Sequence, residues 1–222
     1  ISFTNINFPM HLTINEIYYS IQGESSFAGK PCIFIRLTFC NLRCTYCDTE
    51  YAFYKGEELG IPDILEKISE WNCNLVEVTG GEPLFQEECI DLLNALVENG
   101  KEVMLETGGS LTITQVPKEV IKIVDFKCPS SNMEKKNLWT IVDDLQPHDE
   151  VKFVIGDRED FDWAKDKIEV YKLTDKVTVL FSPTFAEIEP RQIVDWILAE
   201  NLPVRMQLQM HKFIWEPEEK GV

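Results

Sequence analysis

Short runs of β-branched and apolar residues alternate along the chain with longer segments whose apolar positions recur at helical spacing. The short runs predict strands at residues 33–39, 75–79, 103–107, 123–127, 151–155, 177–182 and 204–210. The longer segments predict helices at residues 62–72, 87–100, 117–123, 138–145, 158–171 and 190–201. Strands that alternate with helices through short connections form parallel sheets, so we predict an α/β fold.

The residues best suited to chemistry lie directly after the predicted strands. Cysteines follow residues 33–39, GGEP follows 75–79, GGS follows 103–107 and CPSS follows 123–127. A (β/α) barrel and an open doubly wound sheet both bind ligands at strand carboxyl ends, but open sheets usually do so at one switch point. Because the chemistry here is spread over most strands, we predict an incomplete (β/α) barrel with its site at the C-terminal ends of parallel strands.

Composition narrows the class of protein. The chain has 222 residues, of which 44% are hydrophobic and 27% charged, and this suits a single domain over residues 1–222. No apolar run reaches the roughly 18 residues of a membrane span, and the first residues do not resemble a signal peptide. Residues 1–9 precede Met10, which suggests an added or disordered end. The net charge of −17 argues against direct contact with nucleic acid.

Seven cysteines at uneven spacing argue against a disulfide framework and favour a cytoplasmic protein with a metal or reactive-thiol site. Three of them, Cys40, Cys44 and Cys47, form a C-x3-C-x2-C motif without a fourth cysteine at matching spacing. Thiolates bind zinc, Cu(I) or iron–sulfur clusters, and structural zinc takes four closed ligands. A [4Fe–4S] cluster held by three thiolates keeps one iron open for a small molecule. A zinc loop and incidental cysteines are the alternatives.

The stretch CNLRCTYC resembles the signature of the radical S-adenosylmethionine (SAM) superfamily. That resemblance implies that the open iron binds the amino and carboxylate groups of SAM, and that the reduced cluster splits SAM to a 5′-deoxyadenosyl radical. The stretch VEVTGGEP at residues 76–83 is similar to the superfamily element that meets the methionine group of SAM. The SAM-binding residues that this resemblance implies are Tyr46 near the adenine, Gly80, Gly81 and Glu82 in GGEP, and Glu106 at the ribose.

Further stretches resemble one family of that superfamily, the 7-carboxy-7-deazaguanine synthases of queuosine and deazapurine biosynthesis. They are EIYYSIQGESSFAGKPCIFIRLTFC, CDTEYAF, DFKCPSS and the ending QLQMHKFIWEPEEKGV. The resemblance runs from Glu16 to the C-terminus, with one departure at Ser25, where the family usually has glycine. It implies a lyase that uses SAM, a [4Fe–4S] cluster and Mg2+ to convert 6-carboxy-5,6,7,8-tetrahydropterin to 7-carboxy-7-deazaguanine with loss of ammonia.

Arg36 alternates with the apolar residues Ile35 and Leu37, so its side chain projects opposite an apolar face. In a surface strand it would be solvated. In a barrel strand it would point into the site, where a guanidinium can hold a carboxylate by two hydrogen bonds. The family resemblance assigns it to the substrate carboxylate. The other substrate-binding residues implied by the resemblance are Ile21, Gln22, Gly23, Thr79 and the C-terminal Val222.

Asp48 and Thr49 follow the last cysteine of the motif. A carboxylate is the stronger ligand for Mg2+, so the bare sequence favours Asp48 as the metal ligand. The family resemblance instead assigns the metal to Thr49 and places Asp48 near SAM. It also adds Asp125, Phe126 and Lys127 of DFKCPSS to the SAM-binding residues.

The resemblance further implies an electron donor such as flavodoxin and a homodimer. A second interpretation is another radical SAM enzyme, such as an activase for a glycyl-radical protein, because such enzymes share C-x3-C-x2-C. A third interpretation is a zinc or iron–sulfur protein without catalytic activity. In that case GGEP, Glu106 and Arg36 would have only structural roles.

Overall fold

The computed structural model describes residues 11–222, and the expectation for residues 1–9 lies outside this part. Its strands are β1 His11–Ile21, β2 Pro31–Leu37, β3 Glu57–Gly60, β4 Leu75–Gly80, β5 Glu102–Thr107, β6 Ile121–Asp125, β7 Glu150–Ile155, β8 Thr178–Pro183 and β9 Arg205–Met206. Its α-helices are α1 Ile61–Ile68, α2 Cys89–Glu98, α3 Arg158–Tyr171, α4 Pro190–Glu200 and α5 His211–Ile214. A single domain remains a prediction.

All the strands belong to one open sheet in the order β3-β1-β2-β4-β5-β6-β7-β8-β9. From β2 to β9 every neighbouring pair is parallel, and β1 and β3 add an antiparallel edge. The parallel strands follow one another without the reversal of order that defines a doubly wound sheet. The buried apolar residues of α1 to α4 all pack into one core against one face of the sheet, which confirms the predicted incomplete (β/α) barrel.

The alternation along β2 shows how the two faces of the sheet differ. Ile33, Ile35 and Leu37 are fully buried in the main core between the sheet and the helices. Cys32 and Phe34 point to the other face, where they join a smaller apolar cluster at the base of the barrel. Successive side chains of a strand point to opposite faces, so every second side chain of β2 lies in the barrel interior.

Helix α3 shows how local sequence sets the bounds of a helix. The Asp157 side chain accepts a hydrogen bond of 2.9 Å from the backbone N–H of Asp160, which satisfies a donor of the first turn. Lys172 ends the helix in the left-handed conformation at φ 51°. The buried residues Phe161, Ala164 and Ile168 recur at helical spacing and pack against the sheet. The predicted range 158–171 matches this helix.

Three sequence predictions were wrong. Residues 117–123 do not form a helix, because the turn at Pro117 leads directly into β6, which is rich in β-branched residues. Residues 138–145 form only a 3-10 helix, Trp139–Asp143. The predicted last strand shrinks to β9, after which the backbone N–H of Met210 donates to Gly23 O at 2.9 Å and the chain turns over the barrel mouth. No helix within residues 11–222 is long and apolar enough to cross a membrane.

Candidate active site

A cavity of about 690 Å3 opens at the carboxyl ends of the parallel strands. Its walls come from these strand ends, from the loop after β2 and from the C-terminal segment, residues 207–222. The predicted site residues that line it are Ile21, Gln22, Gly23, Arg36, Cys40, Cys44, Tyr46, Cys47, Asp48, Thr49, Thr79, Gly80, Gly81, Glu106, Asp125, Lys127 and Val222. The fold therefore brings into one volume residues that lie as far apart in the sequence as Ile21 and Val222.

The cysteine loop, residues 38–49, is anchored to the loop after β6. The backbone N–H of Thr45 donates to Ser131 O at 3.2 Å, and its hydroxyl donates to Ser130 O at 2.6 Å. This anchoring holds the loop over the cavity. The half-buried thiols that it presents there, none of them in a disulfide, are those of Cys40, Cys44 and Cys47.

The donor set fits a cluster with three thiolate ligands. None of the other cysteines of residues 11–222 lines the cavity. No three His, Cys, Asp or Glu side chains in that range surround a single ion position, as a closed zinc site would require. Three thiolates that bind three different irons need not share one position. Burial raises the pKa of each thiol, that of Cys47 to about 11, so iron binding would release protons.

The paired glycines of GGEP are required by close backbone contacts. A Cβ atom on Gly81 would lie 2.2 Å from Phe39 O and 2.9 Å from the Cβ of Cys40, both in the cysteine loop. Gly80 has φ +154°, and a Cβ there would lie 2.3 Å from Leu37 O. The end of β4 can therefore approach the cysteine loop only without side chains.

Gly81→Ala is expected to displace the cysteine loop, because a backbone oxygen cannot move away as a flexible side chain can. We expect a loss of about 1–3 kcal/mol of unfolding free energy and a reduced iron content after anaerobic reconstitution. Gly100→Ala is the matched control, since Gly100 has φ +75° but open space around it. That variant should lose comparable stability, about 1–2 kcal/mol, and bind iron fully. Equal iron content in both would contradict this role of Gly81.

Two predicted SAM-binding residues do not line the cavity. The Glu82 carboxylate is fully buried and accepts hydrogen bonds from the Thr107 hydroxyl and from the backbone N–H groups of Gly108 and Leu84. It therefore holds the ends of β4 and β5 together and has no oxygen left to face the cavity. Phe126 is fully buried in the main core and stacks on Trp139 at 4.4 Å between ring centroids. Its side chain cannot contact SAM, because it points to the helix-covered face.

An ion-pair network crosses the cavity. Lys152 Nζ lies 3.0 Å from Glu24 Oε2 and 3.5 Å from Asp125 Oδ2, and it also donates to Glu106. Lys127 Nζ lies 2.9 Å from the same Asp125 oxygen. The two lysines hold the carboxylates of β5 and β6 in place and partly neutralise them. Asp125 Oδ1 is buried without a hydrogen-bond partner in residues 11–222.

Two more buried oxygen atoms on the cavity wall have no partner among those residues, the hydroxyls of Tyr46 and Thr184. Buried polar atoms in native proteins are nearly always hydrogen-bonded. Together with Asp125 Oδ1 they mark positions that a polar ligand can satisfy. SAM fits this pattern, because its ribose, amino and carboxylate groups supply both donors and acceptors.

Arg36 lies at the end of β2 with its guanidinium in the cavity. Its Nε donates to Glu16 Oε1 at 2.8 Å, and Nη2 donates to the Tyr18 hydroxyl at 3.0 Å. The Tyr51 hydroxyl donates to the same Glu16 oxygen at 2.9 Å. Nη1 makes no hydrogen bond to the described part of the chain. The guanidinium is therefore fixed in orientation and keeps donors for an anionic ligand.

The SIQGE turn packs tightly under the C-terminal segment. Ser25 has φ 63°, the left-handed conformation that glycine would adopt without strain, so the departure from the family leaves the turn's shape intact. The Ser25 backbone N–H donates to Gln207 Oε1 at 2.8 Å. A Cβ atom on Gly23 would lie 2.2 Å from His211 Nδ1, so the imidazole lies directly on this backbone. Burial lowers the pKa of His211, which favours the neutral ring.

The residues after the last cysteine bind the C-terminal segment. Asp48 Oδ2 accepts hydrogen bonds from Lys212 Nζ at 2.8 Å and Gln209 Nε2 at 3.1 Å, and Oδ1 accepts one from the Thr49 hydroxyl at 2.9 Å. Both Asp48 oxygens therefore already accept hydrogen bonds. The Thr49 hydroxyl oxygen accepts none within residues 11–222, so it is more available to a cation. At the end of the segment, Val222 lines the cavity and Lys220 Nζ lies 4.0 Å from the Tyr51 ring centroid.

Lys212→Met is expected to release the C-terminal segment from the cysteine loop. The Lys212 side chain is only 7% exposed, but the Asp48 side chain is 48% exposed, so the ion pair is only partly shielded from water. Loss of this ion pair should destabilise the contact between the C-terminal segment and the cysteine loop by about 1 kcal/mol. Hydrogen exchange of amides in residues 207–222 should then become about fivefold faster. Lys176→Met, which breaks a 3.8 Å pair with the exposed Asp143, is the control and should leave those amides unchanged. Identical exchange in both variants would argue against the anchoring role.

The sequence did not single out several residues of the cavity. Glu24 and Lys152 pair across 128 positions, and Lys212 and Asp48 across 164, so no local pattern links them. Glu77 lies on β4 within a run that looks like any buried strand. For Glu24 the signal was present, because it belongs to the SIQGE stretch.

Comparison with known proteins shows which family this chain resembles in sequence. A sequence model of the radical SAM superfamily matches residues 34–130. The 7-carboxy-7-deazaguanine synthase of Koribacter versatilis (strain Ellin345) is 44% identical over 226 residues, which cover 95% of this chain and 100% of that protein. The enzyme of the same name from Chlorobaculum tepidum is 44% identical over 214 residues, which cover 95% and 97%.

Among solved structures, the crystal structure of QueE from Escherichia coli superposes with a TM-score of 0.77 at 23% identity, over 91% of this chain and 95% of that one. This structure shows the shared fold. The two relatives each align with 95% of this chain. The chain belongs to the family of 7-carboxy-7-deazaguanine synthases within the radical SAM superfamily.

Proposed function

We propose that the chain converts 6-carboxy-5,6,7,8-tetrahydropterin to 7-carboxy-7-deazaguanine and ammonia, as the name of its relatives indicates. The observation that carries this proposal is the composition of one cavity. The three thiols of the cysteine loop share it with the Arg36 guanidinium and with the C-terminal residue Val222. A volume of about 690 Å3 lies within the range of sites that enclose small organic ligands.

Cys40, Cys44 and Cys47 would hold a [4Fe–4S] cluster with one iron open to SAM. When bound and reduced, the cluster and SAM would supply a 5′-deoxyadenosyl radical for hydrogen abstraction from C6 of the substrate. The protein binds, orients and shields the reactants, since the cofactor carries the difficult chemistry. No side chain of the chain needs to become a radical.

The SAM site would extend from the cysteine loop to the ends of β4, β5 and β6. Glycines at the end of β4 let the methionine group approach the backbone, and Glu106 can accept hydrogen bonds from ribose hydroxyls. The unpartnered oxygens of Tyr46, Asp125 and Thr184 support a polar ligand in this region. Lys127, close to the thiols, would help to balance the negative charge of a cluster with three thiolates.

The substrate would lie between Arg36 and the C-terminal segment. The free Nη1 of Arg36 can donate to the pterin carboxylate, while Ile21, Gly23 and Thr79 form the adjacent wall. Val222 lines the same cavity. His211, seated on Gly23, and the anchored C-terminal segment would exclude water from the radical.

The Gln22 side chain forms hydrogen bonds within the protein that stabilise the SIQGE turn. Its Oε1 accepts from the Glu24 backbone N–H at 3.1 Å, and its Nε2 donates to Glu77. We therefore expect Gln22 to shape the substrate site more than to bind the pterin by its amide.

Mg2+ would bind at Thr49. The Thr49 hydroxyl lines the cavity, and Mg2+ commonly combines few protein oxygens with waters and substrate oxygens. Asp48 can orient Thr49 through their 2.9 Å hydrogen bond. A one-electron donor such as flavodoxin and a homodimeric assembly are further parts of the proposal, and both rest on family membership alone.

Anaerobic reconstitution tests the proposed function. The protein is loaded with iron and sulfide, reduced, and given SAM, Mg2+ and 6-carboxytetrahydropterin. We expect a product with the deazaguanine chromophore and one equivalent of ammonia. Cleavage of SAM without turnover of the pterin would favour another radical SAM enzyme, such as a glycyl-radical activase. A protein that binds zinc and ignores SAM would indicate a non-catalytic metal protein.

A further inference from the structure

A carboxyl group lies in the floor of the cavity that none of the assignments above uses. Glu77 on β4 is paired in register with Phe34 of β2 and with Met104 of β5, both apolar residues of the inner face. It is only 5% exposed and yet lines the cavity. A carboxylate in such surroundings is costly unless it is paired or protonated.

The two oxygens of Glu77 have different surroundings. Oε2 accepts a hydrogen bond from Gln22 Nε2, and the orientation of that amide is fixed because Gln22 Oε1 accepts from the Glu24 backbone N–H at 3.1 Å. Oε1 has no hydrogen-bond partner in residues 11–222. It is not among the fully buried, unpartnered polar atoms there, so it keeps some accessible surface. A proton on this carboxyl group would therefore reside on Oε1, the oxygen left for the cavity.

The neighbouring charges favour the protonated form. Burial, followed by repulsion from the carboxylates of Glu106 and Glu24, raises the pKa of Glu77 to about 8, against the opposing effects of Gln22 and Lys152. The Lys152 ammonium is already shared between Glu24, Glu106 and Asp125, so it does not pair with Glu77. The titratable and charged groups that face Glu77 or border its site are Tyr18 of β1, Glu24 after β1, Cys32 and Arg36 of β2, Glu106 of β5, Asp125 of β6 and Lys152 of β7.

We propose that Glu77 is a further substrate-binding residue, which acts as a neutral carboxylic acid and donates a hydrogen bond from Oε1 to an acceptor atom of the pterin ring. This inference rests on the proposed function. A carboxylic acid kept neutral by an apolar site is a known kind of hydrogen-bond donor in enzymes. The Arg36 guanidinium would hold the substrate carboxylate. Glu77, whose register partner Phe34 lies two positions before Arg36 on β2, would bind an acceptor atom of the adjoining ring.

Equilibrium binding of 6-carboxytetrahydropterin to the reconstituted, unreduced enzyme with SAM tests the assignment without turnover. Wild-type affinity should be constant below pH about 8 and fall about tenfold per pH unit above it, as Glu77 loses its proton. Glu77→Gln should bind with wild-type affinity at low pH and lose this dependence, because an amide can accept from Gln22 and donate to the ligand at every pH. Glu77→Met should bind about 10- to 100-fold more weakly at low pH.

Glu150→Gln is the matched control. Glu150 is also a buried carboxyl with a raised pKa, but it accepts from the Ser26 backbone N–H and does not line the cavity. This variant should keep the wild-type pH curve. A Glu77→Gln enzyme that retains the alkaline decline, or a Glu77→Met enzyme with wild-type affinity, would overturn the assignment while the proposed function stands. A wild-type enzyme that binds no pterin at any pH would overturn both.

Infrared titration supplies a readout that needs no substrate. The carboxylic acid band of the wild-type protein should contain a component that disappears as pH rises through about 8. That component should be absent from Glu77→Gln and present in Glu150→Gln. A wild-type spectrum identical to that of Glu77→Gln across this pH range would show that Glu77 is ionised and would contradict the proposal.

Discussion

Cys44→Ala is expected to abolish cluster binding, SAM cleavage and product formation. Cys44 is the middle cysteine of the loop, and it lines the cavity together with Cys40 and Cys47. With two thiolates left, a cubane would have two irons without protein ligands. The cysteine loop itself should stay folded, because its anchors run through Thr45 to the backbone of the loop after β6. Iron and sulfide content, the visible spectrum of the cluster and circular dichroism measure these expectations together.

Cys73→Ser is the control for this variant. Cys73 is a half-buried free cysteine that does not line the cavity. We expect it to bind iron and sulfide to the wild-type level. A Cys44→Ala protein that still contains a full [4Fe–4S] cluster would mean that another residue provides a ligand, and the three-thiolate site would be wrong.

Arg36→Ala is expected to weaken binding of the pterin at least about 30-fold while leaving the cluster in place. Removing one partner of a buried, charge-assisted hydrogen bond typically costs 2–5 kcal/mol, and the substrate carboxylate would lose such a partner. The KM for the pterin should rise, whereas the binding of SAM should change little, because Arg36 lies on β2 and bonds to Glu16 and Tyr18, not to Glu106 of β5 or Asp125 of β6. Titrations of pterin and of SAM, carried out on the same reconstituted protein, separate the two effects.

Arg36→Lys is the matched variant, since it keeps the positive charge and loses the planar fork of donors. We expect its affinity for the pterin to lie between that of the wild type and that of Arg36→Ala. Glu16 and Tyr18 lose the Arg36 guanidinium in both variants. A decrease in thermal stability that Arg36→Ala and Arg36→Lys share therefore measures the contribution of these hydrogen bonds to folding. Unchanged affinity for the pterin in Arg36→Ala would remove Arg36 from the substrate site.

The repeating elements of the fold could be predicted because their hydrophobic periods are regular. Strand β2, the strands β4 to β8 and the helix α3 are examples, and the sequence also indicated which strand ends carry chemistry. Strand β1 was missed for a physical reason. Its apolar residues Leu12 and Ile14 are followed by a register shift between Ile14 and Glu16, after which the alternation resumes one position out of phase. A bulge of this kind breaks the period that marks a strand.

The sequence predicted which residues line the site better than it predicted the contacts between their side chains. Nearly all the residues predicted to bind the cluster, SAM or substrate line the cavity, since the residues at strand ends must converge in a barrel. The side-chain direction of Phe126 could not be predicted, because its strand ends one residue earlier, at Asp125. The partners of Glu77 and Lys152 could not be predicted either, since each depends on which distant side chains share the barrel interior.

Transfer of deuterium tests the central claim most directly, that one cavity brings C6 of the pterin to the radical formed from SAM. The reconstituted, reduced enzyme is given SAM and 6-carboxytetrahydropterin that carries deuterium at C6, and the 5′-deoxyadenosine is analysed by mass spectrometry. We predict 5′-deoxyadenosine with one deuterium atom, in step with formation of 7-carboxy-7-deazaguanine. Deoxyadenosine without deuterium, formed while the product accumulates, would contradict this arrangement of the site.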